Sequence, residues 1–227
     1  MEILDKIPFL LDVDALLRQA HVEAQSDDET DFRALVDLAT RIGKPKAAYS
    51  VAFVESRDGD NVLIGGITFT SRTLAMNLQS VERVFPQVAT CGIEMDAAFP
   101  AAGDMVKEFW WDVIKTHLLM AAHKHLDEEL HRKFRLGKTA IMRPGSGDAS
   151  VWLIEQQRQL FALLGDVRQA IGVTLTDSFL MVPNKTTSGL MFPAEKDFRS
   201  CQVCHREKCP SRQAPFDQKL WDEIQHN

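Results

Sequence analysis

The sequence predicts an α+β domain: a twisted, mostly antiparallel sheet with a long central helix and shorter flanking helices. Three observations lead there. Runs rich in Val, Ile, Tyr and Phe follow one another across short polar turns rather than alternating with helices, which favours antiparallel pairing. About thirty residues ending near Phe134 carry good helix formers and no proline. Two shorter stretches of helical periodicity precede the strands. With 227 residues, 45% hydrophobic and 26% charged, the chain has material for a full core, so disorder, collagen-like repetition and a coiled-coil rod are excluded.

Taken in order, Leu10, Val13, Leu16, Leu17 and Ala20 recur at helical spacing. Phe32, Leu35, Val36, Leu38, Ala39 and Ile42 do so again after the acidic break Ser26 to Glu29, until Gly43 and Pro45 end the helix. Ala47 to Val54 and Val62 to Phe69 predict a hairpin around the polar turn 56–60. Val84 to Thr90 reads as a short strand running into Thr90-Cys91-Gly92. The central helix begins at Ala101 or Gly103 and runs to Phe134, with Val106, Phe109, Trp110, Val113, Ile114, Leu118, Ala121, Leu126, Leu130 and Phe134 as its buried stripe. Gly137 ends it. A strand over Thr139 to Met142 enters the turn 143–148, a helix follows over Leu153 to Leu164, and Phe179 to Val182 with Ser188 to Phe192 reads as a second strand pair. Past Pro193 the chain turns polar and cysteine-bearing, closing with a short amphipathic helix around Phe216, Leu220, Trp221 and Ile224. We therefore divide it into a core, 1–192, and a cysteine-rich metal-binding extension packed on that core, 193–227.

A formal net charge of −6 opposes the phosphate attraction on which nucleic-acid binding relies. No stretch offers the roughly 18 apolar residues needed to cross a bilayer, and the start, Met-Glu-Ile-Leu-Asp-Lys-Ile-Pro, does not read as a secretory signal. The expectation is a cytoplasmic protein without nucleic-acid or membrane partners, in which closely spaced thiols serve metals rather than disulfides.

Cys201, Cys204 and Cys209 form C-x2-C-x4-C, a spacing that brings sulfurs to one ion or cluster corner. A fourth ligand must come from elsewhere; Cys91 is the remaining cysteine, and His205 sits beside Cys204. Zinc and an iron–sulfur cluster both fit this pattern. Arg199, Arg206, Lys208 and Arg212 against Glu207 alone offset thiolate charge in either case.

From Arg143 onward the chain resembles the reactivation (activation) domain of vitamin B12-dependent methionine synthase. The turn Pro144-Gly145-Ser146-Gly147-Asp148, the helix from Glu155 to Phe161 with Ile171-Gly172-Val173-Thr174-Leu175-Thr176 after it, and the segment Leu180 to Phe192 carry the resemblance. Ala89-Thr90-Cys91-Gly92 and the Asp112-bearing helix extend it towards the stand-alone relatives of that domain. Cys201, Cys204, Cys209, Arg212, Ala214 and Pro215 match the cysteine segment of those relatives, which raises a [4Fe–4S] cluster above zinc. The resemblance implies service to a corrinoid-binding protein or corrinoid methyltransferase whose Co(I) has been oxidised to Co(II): the cobalt is re-reduced, with ferredoxin or flavodoxin as donor, and in the synthase the cob(I) is trapped by methyl transfer from S-adenosylmethionine. The chain carries no Asp-x-His-x-x-Gly motif, so the corrinoid sits on the partner.

For S-adenosylmethionine, the resemblance assigns Arg143 to the ligand carboxylate, the amides of Gly145, Ser146 and Gly147 to a close backbone approach, and Asp112 or Glu155 to the sulfonium and ammonium charges. The chain departs from the family at three positions. Ser146 and Met191 stand where tyrosines are expected, and Ile141 replaces an arginine, so adenosine stacking and carboxylate pairing each lose a partner. Two further readings stand beside the redox one: a zinc-stabilised binding module, and an S-adenosylmethionine-binding protein without redox function. Other motifs carry less. His117, His123, His125 and His131 read as solvated-face residues, Trp110 and Trp111 as core, and Lys46 and Lys185 as exposed turn lysines. No dinucleotide, P-loop or nucleophile-elbow motif occurs.

Overall fold

The computed structural model describes residues 1–99, 103–148, 151–195, 198–209 and 212–226. The elements are β1 (Glu2–Leu4), α1 (Val13–Gln19), α2 (Asp27–Ile42), β2 (Lys46–Tyr49), β3 (Ala52–Asp58), β4 (Asn61–Ile64), β5 (Ile67–Thr70), α3 (Arg72–Asn77), β6 (Arg83–Thr90) and α4 (Glu94–Ala97). After them come α5 (Met105–Phe134), β7 (Thr139–Met142), α6 (Gln157–Leu164), α7 (Val167–Ile171), β8 (Thr174–Leu175), β9 (Met181–Val182), β10 (Thr186–Pro193) and α8 (Gln218–His226). The α+β class, the antiparallel sheet and the single long helix are as the sequence predicts.

Strand β6 is the hub. One edge pairs antiparallel with β2 and then β3, the other with β10, and β7 adds beyond β10. It holds this place although Pro86 withholds one N–H, a residue usually confined to edges. Its side chains are buried on both faces. On one face Val84, Val88, Met142, Leu190 and Phe192 meet Trp152, Leu160 and Ile171. On the other, Tyr49, Phe85, Ala89 and Met191 meet Leu119, Ala122, Leu126 and Leu130 of α5. The first half of α5 packs instead on α1 and α2, through Trp110, Ile114, Phe32 and Val36. Asp104 caps α5 by accepting from the amides of Val106 and Lys107, each at 3.1 Å.

Several expectations need correction. The run 47–54 is two strands broken at Ser50-Val51, so β2 joins β1 and β6 while β3 forms the hairpin with β4. The run 62–69 also breaks, at Gly65-Gly66, whose φ values of +56° and +76° form a second tight turn. Strand β9 pairs with β8, and β10 with β6 and β7, so the expected pairing of the two late strands does not form. The buried stripe of α5 excludes the exposed Val106 and Phe109 and uses Ala122 rather than Ala121. Helix α5 starts at Met105; the alternative start at Ala101 lies outside the described residues. Among the described residues no helix is long and apolar enough to cross a membrane.

Candidate ligand cleft and cysteine loop

Alternation along the strands sets one polar group under α5. Gln87 lies between Phe85 and Ala89, and Thr187 and Gly189 precede Met191, all on the α5 face; Ile141 and Arg143 join them from β7 and its end. Gly189 stands directly opposite Gln87. A Cβ there would come 2.9 Å from the Met142 carbonyl oxygen and 3.0 Å from Arg143 Cγ, so the missing side chain is the space over which the Arg143 stem crosses.

Gln87 is 3% exposed, and its Oε1 is buried with no hydrogen-bond partner among the described residues. The Arg143 guanidinium likewise meets no carboxylate or carbonyl among the described residues. Its pKa is lowered by burial and by the neighbouring charge of Arg199. His123 Nε2 shares a hydrogen bond with Thr187 Oγ1, and burial, helped by the Arg143 charge, pulls the ring down to about 4. His123 is thus a neutral, largely enclosed group rather than a solvated one. Gln87, Met120, His123, Lys124, Asp127, Ile141 and Met191 line a cleft of about 280 Å³; Arg143 is not among these lining residues but acts on the His123 ring through its charge. Ile141 and Met191 are the two positions where the family resemblance expects arginine and tyrosine.

The other predicted ligand residues are dispersed. In the turn, the amide of Gly145 already donates to the Trp152 carbonyl (2.8 Å) and that of Ser146 to the Arg143 carbonyl (3.1 Å), so these two N–H groups are committed to the backbone. Gly147, at φ +93°, sits against Ser200 and Cys204. Glu155 is exposed on the 3-10 turn Ile154–Gln156, whose Gln156 ties to Thr70 and Trp152 on the sheet's other side. Asp112 lies three turns of α5, about 16 Å, from His123. It pairs with Lys185 at 2.6 Å and accepts from Asn184, while Lys115 binds Asp96 (2.9 Å) and Asn184 (2.7 Å). Lys185 is therefore half-buried in a charge network and not an exposed turn lysine, and Lys46 pairs with Glu94 at 3.0 Å.

The cysteines separate into two places. Cys91 is fully buried among Leu17, Phe32, Met95 and Trp111, and burial pushes its thiol up to about 12. It lies in a different core cluster from the tail and does not join the other three. Cys201 and Cys204 sit at the turn Ser200–Val203, with Cys209 beyond. A single guanidinium organises this loop: Arg212 donates to the carbonyls of Cys201 (2.9 Å), Cys204 (2.9 Å), Arg206 (2.7 Å) and Ala214 (3.0 Å). The Gln213 amide points to Cys201 Sγ at 3.4 Å. His205 packs between Phe216 and Trp221 and approaches Asp148 at 3.7 Å. Among the described residues no three His, Cys, Asp or Glu side chains converge closely enough to hold an ion. The three thiols have the donor chemistry of a thiophilic metal, but they do not converge among the described residues, and neither Cys91 nor His205 fits as a fourth ligand.

Sequence reading missed Gln87, Thr187 and Gly189. The available signal was one amide side chain in the otherwise apolar Val-Phe-Pro-Gln-Val-Ala run.

Residues 103–209, just under half of the chain, match the family described as vitamin B12 dependent methionine synthase, activation domain. The chain resembles that activation domain. Among solved structures it is similar to one titled "Crystal Structure of the MetH Reactivation Domain bound to AdoHcy", at 16% identity and a TM-score of 0.55, covering 88% of this chain and 81% of that one. No curated protein matches the sequence.

Proposed function

We propose that this chain is an accessory protein of corrinoid-dependent methyl transfer, and that the cleft under α5 takes S-adenosylmethionine and its product. The carrying observation is the buried, unpartnered Gln87 Oε1 at a cleft whose His123 also feels the charge of the half-buried Arg143 nearby, in a fold whose solved relative is described with AdoHcy. An unpaired guanidinium in low dielectric favours an anion. Arg143, two residues along the same sheet face, takes over the carboxylate from the family arginine that Ile141 replaces. His123 stays neutral beside it, offering a hydrogen bond without opposing the ligand's sulfonium. Met191 and Met120 supply polarizable apolar surface where the family tyrosine is absent.

On the partner, one electron converts Co(II) to Co(I), and the Co(I) lone pair displaces the sulfonium methyl, leaving S-adenosylhomocysteine. The test follows this recovery: a corrinoid methyltransferase in the cob(II) state is mixed with the chain, a reductant and S-adenosylmethionine, and the return of the methylcob(III) spectrum is recorded. Recovery that depends on the chain and falls with Arg143→Met supports the reading; recovery at the same rate without the chain contradicts it.

The cysteine loop favours a second component. Cys201, Cys204 and Cys209 are the thiolates proposed for an iron–sulfur centre, with zinc as the alternative; a cluster, when bound, supplies low-potential electrons. The carbonyl clamp of Arg212 and the amide on Cys201 Sγ support this. Iron, zinc and sulfide analysis of anaerobically purified protein separates the two, and a chain with neither metal removes both.

A further inference from the structure

We infer that Gln87 reads the adenine edge of the ligand and so fixes which nucleoside the cleft accepts. The inference rests on the adenosyl reading above and deepens it.

Gln87 is the deepest polar group of the cleft, 3% exposed, on the central strand of the sheet. On the opposite face the polar side chains are matched: Ser188 donates to Gln157 Oε1 at 2.8 Å and Gln156 Nε2 to the Thr70 carbonyl at 2.6 Å. Under α5 the Gln87 Oε1 has no such partner among the described residues. The buried Oε1 forfeits its hydration, and the loss is recovered by a group that brings a donor to it; an acceptor beside that donor takes the amide N–H as well.

An adenosyl sulfur ligand has four polar groups, the carboxylate, the ammonium, the ribose hydroxyls and the adenine edge, and of these the adenine edge holds a donor and an acceptor in one plane, as a carboxamide does. The carboxylate has no donor. The ammonium has no acceptor and is better matched by the Asp127 carboxylate, which also lines the cleft. Adenine N6 and N7 present the donor and acceptor that a Gln amide pairs with in a bidentate manner. The cleft walls agree, since Met120, Ile141 and Met191 give aliphatic and thioether surface for the flat faces of a base. Arg143 lies beyond the intervening strand from Gln87, about 10 Å away at two strand spacings, so one ligand reaches both without crowding.

The test compares S-adenosylhomocysteine with S-inosylhomocysteine, whose 6-oxo group replaces the N6 donor, by calorimetric titration of the wild-type chain and of Gln87→Leu. The wild type is expected to prefer the adenine form by about 10- to 100-fold, and Gln87→Leu to weaken adenine binding and bring the two ligands to within roughly threefold. Equal affinities in the wild type, or a preference that survives in a folded Gln87→Leu, overturn the assignment while leaving the adenosyl reading intact. Failure of the wild type to bind either ligand overturns both. If Gln87→Leu does not fold, judged by near-ultraviolet circular dichroism, the wild-type discrimination and its loss with the 7-deaza analogue decide the matter alone.

Discussion

Under α5, the strand ladders take up the backbone groups and leave side chains, Gln87 and Arg143, without partners among the described residues. In the loop around Cys201 to Ala214 the arrangement is inverted. There a side chain, Arg212, satisfies four backbone carbonyls, and the half-exposed thiols are what remains to bind something. A sheet fixes polar side chains by register, so an unsatisfied one is held where it stands and does not turn away to find a partner. A loop has no ladder, and here the Arg212 guanidinium supplies the cross-links between its carbonyls instead.

The largest expected effect lies in the loop. Cys204→Ser should lower metal content on the order of tenfold or more, measured with sulfide on anaerobic protein, whereas Cys91→Ser should leave it unchanged, because Cys91 belongs to the core under α2 and α5. Equal losses would join what the structure separates.

The cleft should show itself through pH. His123 is held at about 4, below its ordinary 6.5, chiefly by burial. Between those values the unfolded chain takes up a proton that the folded chain refuses. The stabilisation is therefore complete above about pH 6.5 and lost as pH falls towards 4, by up to about 3 kcal/mol. Urea unfolding at pH 7 and pH 4.5 measures the drop, and His123→Gln should flatten it.

Gly189→Ala should follow, at about 2 kcal/mol in the same unfolding experiment, since its Cβ meets the Met142 carbonyl and the Arg143 stem. Smallest is Glu155→Gln: exposed and on the far side of the sheet, it should leave ligand affinity within about twofold and stability within roughly 0.5 kcal/mol.

How much of this was legible in the sequence differed between the two regions. Periodicity gave α2, α5 and α8, and the proline-free length of α5 needed no tertiary information. The breaks at Ser50 and Gly65 were harder, because apolar runs on both sides hide a change of pairing partner; the Gly-Gly pair was the readable clue. Helix α3 is only six residues long, and its one local mark is the Ser71 hydroxyl accepting from the Leu74 amide at 3.0 Å. The cysteine spacing stood out at once, since its chemistry is local. The cleft did not, because Gln87, His123, Arg143 and Thr187 are brought together by sheet register and by a helix crossing, neither of which sequence spacing encodes. Asp112 and Glu155, which the resemblance also assigns to the ligand, stand apart from this group: Asp112 pairs with Lys185 and Glu155 is exposed on the turn 154–156.

The most direct measurement is a crystal structure of the protein grown with S-adenosylhomocysteine. The account predicts the ligand in the cleft between α5 and the β6–β10–β7 strands, adenine against Gln87 and carboxylate against Arg143. A ligand seated elsewhere, or a cleft that stays empty at saturating concentration, would contradict it.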